Sequence, residues 1–124
     1  MTRWVVDGMN VIGSRPTGWW RDRPRAMRDL ASELESFGAA TGESVTVVFD
    51  GKPFEIEPGE RLDVRFASRR GRNAADDDIA ALVERDGDPG SLAVVTSDAD
   101  LARRVRDLGA SVVGSGEFRR RLDG

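Results

Sequence analysis

Four short β-branched runs punctuate this chain, and segments of helical period separate them. Val5-Val6, SVTVVF (44–49), SLAVV (91–95) and ASVV (110–113) are continuous and apolar. Runs this short and this apolar suit strands buried on both faces rather than helices. A fifth, LDVRFA (62–67), alternates apolar and polar residues, as a half-exposed strand does. Between them, Met27, Leu30, Ala31, Leu34 and Phe37 recur at helical spacing, with Gly38 as the predicted stop. ADDDIAALVERDG (75–87) predicts a helix with Ile79, Leu82 and Val83 inward. ADLARRVRDLG (99–109) predicts another, with Leu101, Val105 and Leu108 inward and Gly109 as cap. SGEFRRRL (115–122) reads as a short terminal helix. A Gly/Pro-rich segment running to Pro24, KPFEIEPGE (52–60) and the basic SRRGRNA (68–74) read as loops. Strands alternating with helices predict an α/β fold: a central, mostly parallel sheet flanked by helices in three layers. At 124 residues the expectation is one domain spanning 1–124.

What the chain lacks narrows its chemistry. With no cysteine, there is neither a disulfide framework nor a thiolate metal site. With no histidine, the usual general base, the usual zinc ligand and every Ser/His or Cys/His nucleophile are missing. An enzyme built from this sequence must work mainly with carboxylates. The first residues do not read as a charged-then-apolar leader, and no apolar run approaches the ~20 residues of a membrane span. The expectation is a cytoplasmic protein with no membrane partner. Net charge is −3, which by itself argues against a nucleic-acid partner. The positive charge is nonetheless clustered: Lys52 is the only lysine, and arginines gather at 15–28, 61–72 and 119–121.

Three of the apolar strands run into an aspartate: VVD at Asp7, VVFD at Asp50 and VVTSD at Asp98. In an open α/β sheet, ligands bind outside the carboxyl ends of the strands, near the point where strand order reverses. If these strands are parallel neighbours, their carboxylates share one rim. ADDD (75–78) adds acids at the start of a helix. Each acid alone has a structural use. Asp98 can cap the helix that follows it, one of Asp76, Asp77 and Asp78 can cap theirs, and Asp50-Gly51 can be a plain turn. Together they point elsewhere. Like charges ~4 Å apart repel by roughly 4 kcal/mol at an effective dielectric of 20. Clustering them is costly unless a cation compensates, and oxygen-only ligation suits Mg²⁺ or Mn²⁺.

The stretch VVDGMNVIGS (5–14) has two glycines spaced as in a phosphate-binding loop. That loop requires Lys and then Ser/Thr after its second glycine; here Ser14 and Arg15 follow Gly13. The glycines are instead expected to turn the backbone sharply off the strand, holding Asp7 and Asn10 toward a metal. Asn10 can orient a metal-bound water, bond a substrate phosphate, accept from Ser14 or Thr96, or simply cap the next turn.

VVDGMNVIG, VVFDG, ADDDIAALV and VVTSDADLARRVRDLGASVVGSGEF, in that order and over nearly the whole chain, resemble the NYN domains of the PIN-like nuclease superfamily, in particular the YacP-like branch. The resemblance implies a PIN-like strand order of 3-2-1-4-5 and a metal-dependent endoribonuclease, with mRNA on the ribosome as the substrate linked to that branch. It implies Asp7, Asp50, Asp76 and Asp98 as catalytic acids, and Asp7, Asp76, Asp77, Asp98 and, with a weaker motif match, Asp100 as ligands to Mg²⁺ or Mn²⁺. Asn10 matches the asparagine partner of the first aspartate. Hydrolysis would be metal-assisted, leaving 5′-phosphate and 3′-hydroxyl ends. In that setting Arg15, Arg69, Arg70 and Arg72 would contact phosphates of single-stranded RNA. Trp19 and Trp20 would either stack on bases or pack onto the first long helix. Two other readings stay open: a non-catalytic RNA- or ribosome-binding module on the same fold, and a small-molecule metal phosphohydrolase.

Overall fold

The structure, a computed structural model, describes residues 1–71 and 73–124. Its sheet is built from β1 (Arg3–Asp7), β2 (Val45–Phe49), β3 (Leu62–Phe66), β4 (Leu92–Val95) and β5 (Ser111–Val113). The helices are α1 (Gly8–Ile12), α2 (Arg23–Thr41), α3 (Ala74–Arg85), α4 (Ala99–Asp107) and α5 (Ser115–Asp123). Short 3-10 turns lie at Trp19–Arg21 and Pro89–Ser91.

The strand order is β3-β2-β1-β4-β5, as the family resemblance implied, and every neighbouring pair is parallel. Val6 on the central strand lies beside Val47 of β2 and Val95 of β4. The two-residue period of the strands sorts their side chains between two layers. Trp4, Val6, Val47, Phe49 and Val95 pack with Val11, Leu30, Leu34 and Phe118 of α1, α2 and α5. Val5, Val48 and Val94 pack with Ile79, Val83, Leu101 and Val105 of α3 and α4. Strand order reverses at β1, so the carboxyl ends of β1 and β4 frame the switch point where such sheets bind ligands.

Two expectations need correction. The segment after Asp7 does not begin as a loop, because α1 starts at Gly8 with no break from the strand. Nor does α2 stop at Gly38. Gly38 is a buried residue within the helix, where a Cβ would lie 2.7 Å from Arg61 Cβ and 3.1 Å from the Glu43 carbonyl oxygen. Its lack of a side chain permits close packing rather than a turn. The stop is Gly42, at φ 71°, whose N–H bonds the Gly38 carbonyl. An L-residue there meets the left-handed penalty of about 1–2 kcal/mol. Gly42→Ala is therefore expected to lower the unfolding free energy by about that much, read as a lower urea midpoint with an unchanged m-value. Leu82 and Leu108, expected inward, are only half buried because they sit at the edge of their layer. Among the described residues, no helix is long and apolar enough to cross a membrane.

Candidate active site

Asp7 ends the central strand, one residue past the register pair of Val6 and Val95. Its side chain shares the parity of Val5, so it points into the α3/α4 layer, and Thr96 follows Val94 in the same way. The two meet there: Thr96 Oγ1 donates to Asp7 Oδ2 at 2.9 Å, and both residues are buried. Burial pushes the Asp7 carboxyl up to about 7. The Thr96 hydrogen bond opposes that shift, and the nearby charges of Asp76 and Asp50 reinforce it.

The other acids converge from three elements. Asp50, just beyond β2, accepts the Ala75 N–H at 3.2 Å and so caps α3 from across the sheet. Asp98 caps α4, accepting the Leu101 N–H at 2.9 Å. Its own N–H donates to Thr96 Oγ1, so a single threonine hydroxyl touches both strand-end acids. Asp76 stands in the first turn of α3. Its carboxyl is raised from the ordinary value by burial and by the charges of Asp98 and Asp50, against the pull of Arg104. Asp7, Asp50, Asp76 and Asp98 thus occupy one field of negative charge at the switch point.

The capping roles and a ligating role are compatible, since a carboxylate has two oxygens and each cap uses one. The donors are all oxygen, and the two raised carboxyls mark a site with more negative charge than the protein compensates. That chemistry fits a hard divalent cation. The spacing is not closed, however: among the described residues, no three His, Cys, Asp or Glu side chains lie within common reach of one ion.

Asn10, on α1, accepts from the Ser97 N–H at 2.9 Å and from Ser115 Oγ, not from Ser14 or Thr96. Ser14 Oγ instead donates back to the Val11 carbonyl at 2.6 Å. Asn10 therefore staples α1 to the β4–α4 connection and to the start of α5. Gly8 serves the site differently from expectation. A Cβ there would fall 2.5 Å from Phe49 Cδ1 and Cε1, so the glycine lets α1 lie close on the sheet. Gly13, at φ −68°, has ordinary helical backbone and makes no special turn.

Several other predicted residues pair with side chains of their own. Asp77 gives one oxygen to Arg104 Nη1 at 2.9 Å and the other to Arg69 Nη2. These bonds hold its carboxyl below the usual range. Asp78 accepts from the N–H and Oγ of Ser68. Asp100 is exposed on α4 and pairs with Arg103 at 3.2 Å. Arg15 pairs with Asp123 of α5, and Arg70 is exposed. Arg72 lies outside the described residues. The tryptophans divide: Trp19 packs on the core, whereas Trp20 is 58% exposed with Arg21 over its ring.

Thr96 and Arg104 escaped the sequence reading as partners of the acids. Thr96 was legible in principle, because it continues the inward row of Leu92 and Val94. Arg104 was not, because its role depends on how α3 and α4 lie side by side.

Comparison with known proteins agrees with this architecture. A family model described as the YacP-like NYN domain matches residues 4–124. The crystal structure of Rae1 (YacP) from Bacillus subtilis is similar with a TM-score of 0.83 at 25% identity, over 99% of this chain and 74% of that one. A point mutant of the same Bacillus subtilis protein gives 0.82 at 25% identity, over 99% and 76%. No curated protein matches the chain.

Proposed function

The chain belongs to the YacP-like NYN domain family, a nuclease-type, RNA-related family, and on that premise we propose that it is a divalent-metal-dependent endoribonuclease. The observation that carries the reading is the meeting of Asp7, Asp50, Asp76 and Asp98 at the switch point, with Asp7 buried and pushed up to about 7. Arriving positive charge favours the ionised form of a carboxyl so placed.

Asp7, Asp76 and Asp98 would hold Mg²⁺ or Mn²⁺, with Asp50 completing the shell directly or through water. The bound cation would supply an activated water and charge neutralisation at the scissile phosphate. Thr96 fixes the Asp7 carboxylate through one oxygen and leaves the other for the ion. Asn10, its carbonyl committed to Ser97 and Ser115, presents its amide as a donor to a phosphate oxygen. The caps made by Asp50 and Asp98 lock their rotamers to helix backbones, so both acids are positioned before substrate arrives. Single-stranded RNA is the proposed substrate, with the ribosome as a proposed setting and Trp20 as an exposed surface for an unpaired base.

One observation favours a second reading, a non-catalytic RNA- or ribosome-binding module: among the described residues, no three His, Cys, Asp or Glu side chains stand in ligating reach. The two separate in one experiment. Wild type and Asp98→Asn are incubated with a labelled single-stranded oligoribonucleotide, in Mn²⁺ and in EDTA. The nuclease reading expects internal cleavage only by wild type with Mn²⁺, with at least about 10²-fold loss in the variant. Equal behaviour in all four reactions, together with no Mn²⁺ uptake by calorimetry, leaves the binding module.

A further inference from the structure

We propose that Arg69 and Arg104, bridged by Asp77, form a phosphate clamp that grips an RNA phosphodiester beside the four acids. The inference rests on the RNA-directed reading above and assigns Asp77 a positioning role rather than a ligating one.

The three residues come from three places: Arg69 from the loop before α3, Asp77 from the first turn of α3, and Arg104 from α4. One carboxylate holds both guanidinium groups, one on each oxygen. Both Asp77 oxygens are thus engaged by cationic groups of the chain itself. The side chains are 55%, 42% and 46% exposed for Arg69, Asp77 and Arg104, so the group is open to solvent. Ion pairs this exposed contribute little to stability. Each guanidinium has five N–H donors and spends one on Asp77. The remaining donors stay available to phosphate oxygens, which a guanidinium fork binds well.

Two arginines and one aspartate leave one positive charge, which one phosphodiester neutralises. The position is adjacent to the chemistry, because Asp77 directly follows Asp76 in the first turn of α3. A strand whose scissile phosphate sits at the acids would place a neighbouring phosphate at the clamp.

The test is metal-free binding of a fluorescein-labelled single-stranded oligoribonucleotide in EDTA, read by anisotropy across a salt titration. Arg104→Ala is expected to raise Kd about tenfold and to flatten the log K against log salt slope by about 0.7. Arg103→Ala, one residue away and paired with Asp100, should leave both unchanged. Asp77→Asn is the discriminating variant. It adds one net positive charge, so a merely electrostatic surface predicts tighter binding, whereas loss of positioning predicts weaker binding. Calorimetry should show Mn²⁺ affinity within about twofold of wild type for Asp77→Asn. Unchanged RNA affinity in Arg104→Ala, tighter binding by Asp77→Asn, lost Mn²⁺ affinity in Asp77→Asn, or no RNA binding by wild type would each overturn the clamp. A wild type that shows the clamp pattern yet never cleaves RNA overturns the nuclease reading instead.

Discussion

Asp7→Asn is expected to give a protein that is both more stable and inactive. The Asp7 carboxyl ordinarily ionises at 3.8 and is pushed to about 7 inside the fold, mainly by burial. Ionising it there costs on the order of 4 kcal/mol more than in the unfolded chain. The direction of the pH dependence follows. Between about pH 4 and pH 7 the fold holds a proton that the unfolded chain has lost, so wild-type stability falls as pH rises and levels off above the folded value. An asparagine is neutral throughout, and its side-chain oxygen can still accept from Thr96. In EDTA at pH 8 the variant should therefore melt roughly 5–15 °C above wild type, with the difference shrinking toward pH 4. Cleavage should fall roughly 10³-fold, because the buried negative charge is what a cation would meet. Mn²⁺ should raise the melting temperature of wild type and not that of the variant. A variant less stable than wild type at pH 8 would show that the ionised carboxylate is already compensated within the protein.

The second large effect is expected at Gly8. Alanine ordinarily gains up to about 1 kcal/mol over glycine in a helix. Here its Cβ would fall 2.5 Å from two Phe49 ring carbons and 3.1 Å from Val47 Cγ2. Phe49 and Val47 are both fully buried in the layer beneath α1, with no space into which to retreat. Overpacking of that kind costs about 1–3 kcal/mol and outweighs the helix gain. α1 must lift off the sheet, carrying Asn10 away from Ser97 and Ser115. Gly8→Ala should thus lower the melting temperature by roughly 3–12 °C and reduce cleavage up to about 10²-fold. Gly13→Ala is the matched comparison. Its backbone is helical, and its Cβ would meet the Met9 carbonyl oxygen at 3.2 Å and the Asn10 carbonyl oxygen at 3.8 Å, so its effect should be much smaller.

Those two glycines also show what the sequence could reveal. Their spacing suggested a phosphate loop, and the aspartate before them pointed away from it. That inference needed only residue types. The actual use of Gly8, clearance for a phenylalanine from another strand, is a tertiary fact that no local pattern carries. The sheet was legible because each strand is a short apolar run and the order of motifs matched a family. Gly38 misled because a glycine inside a helix and a glycine ending one look alike without the neighbouring Arg61 and Glu43. The placement of Asp7, Asp50 and Asp98 at strand ends, and of Asp76 at a helix start, followed from strand ends and chain order. The diversion of Asp77 to two arginines did not, because among three consecutive aspartates only helix phase decides which one faces α4.

If Asp7, Asp50, Asp76 and Asp98 serve one divalent cation, anomalous diffraction from crystals soaked in Mn²⁺ should reveal it. The expected peak lies at the carboxyl end of β1, coordinated by Asp7 together with Asp98 and Asp76, and is absent in Asp7→Asn crystals. No peak there, or a peak held only by Asp77 or Asp100, would contradict it.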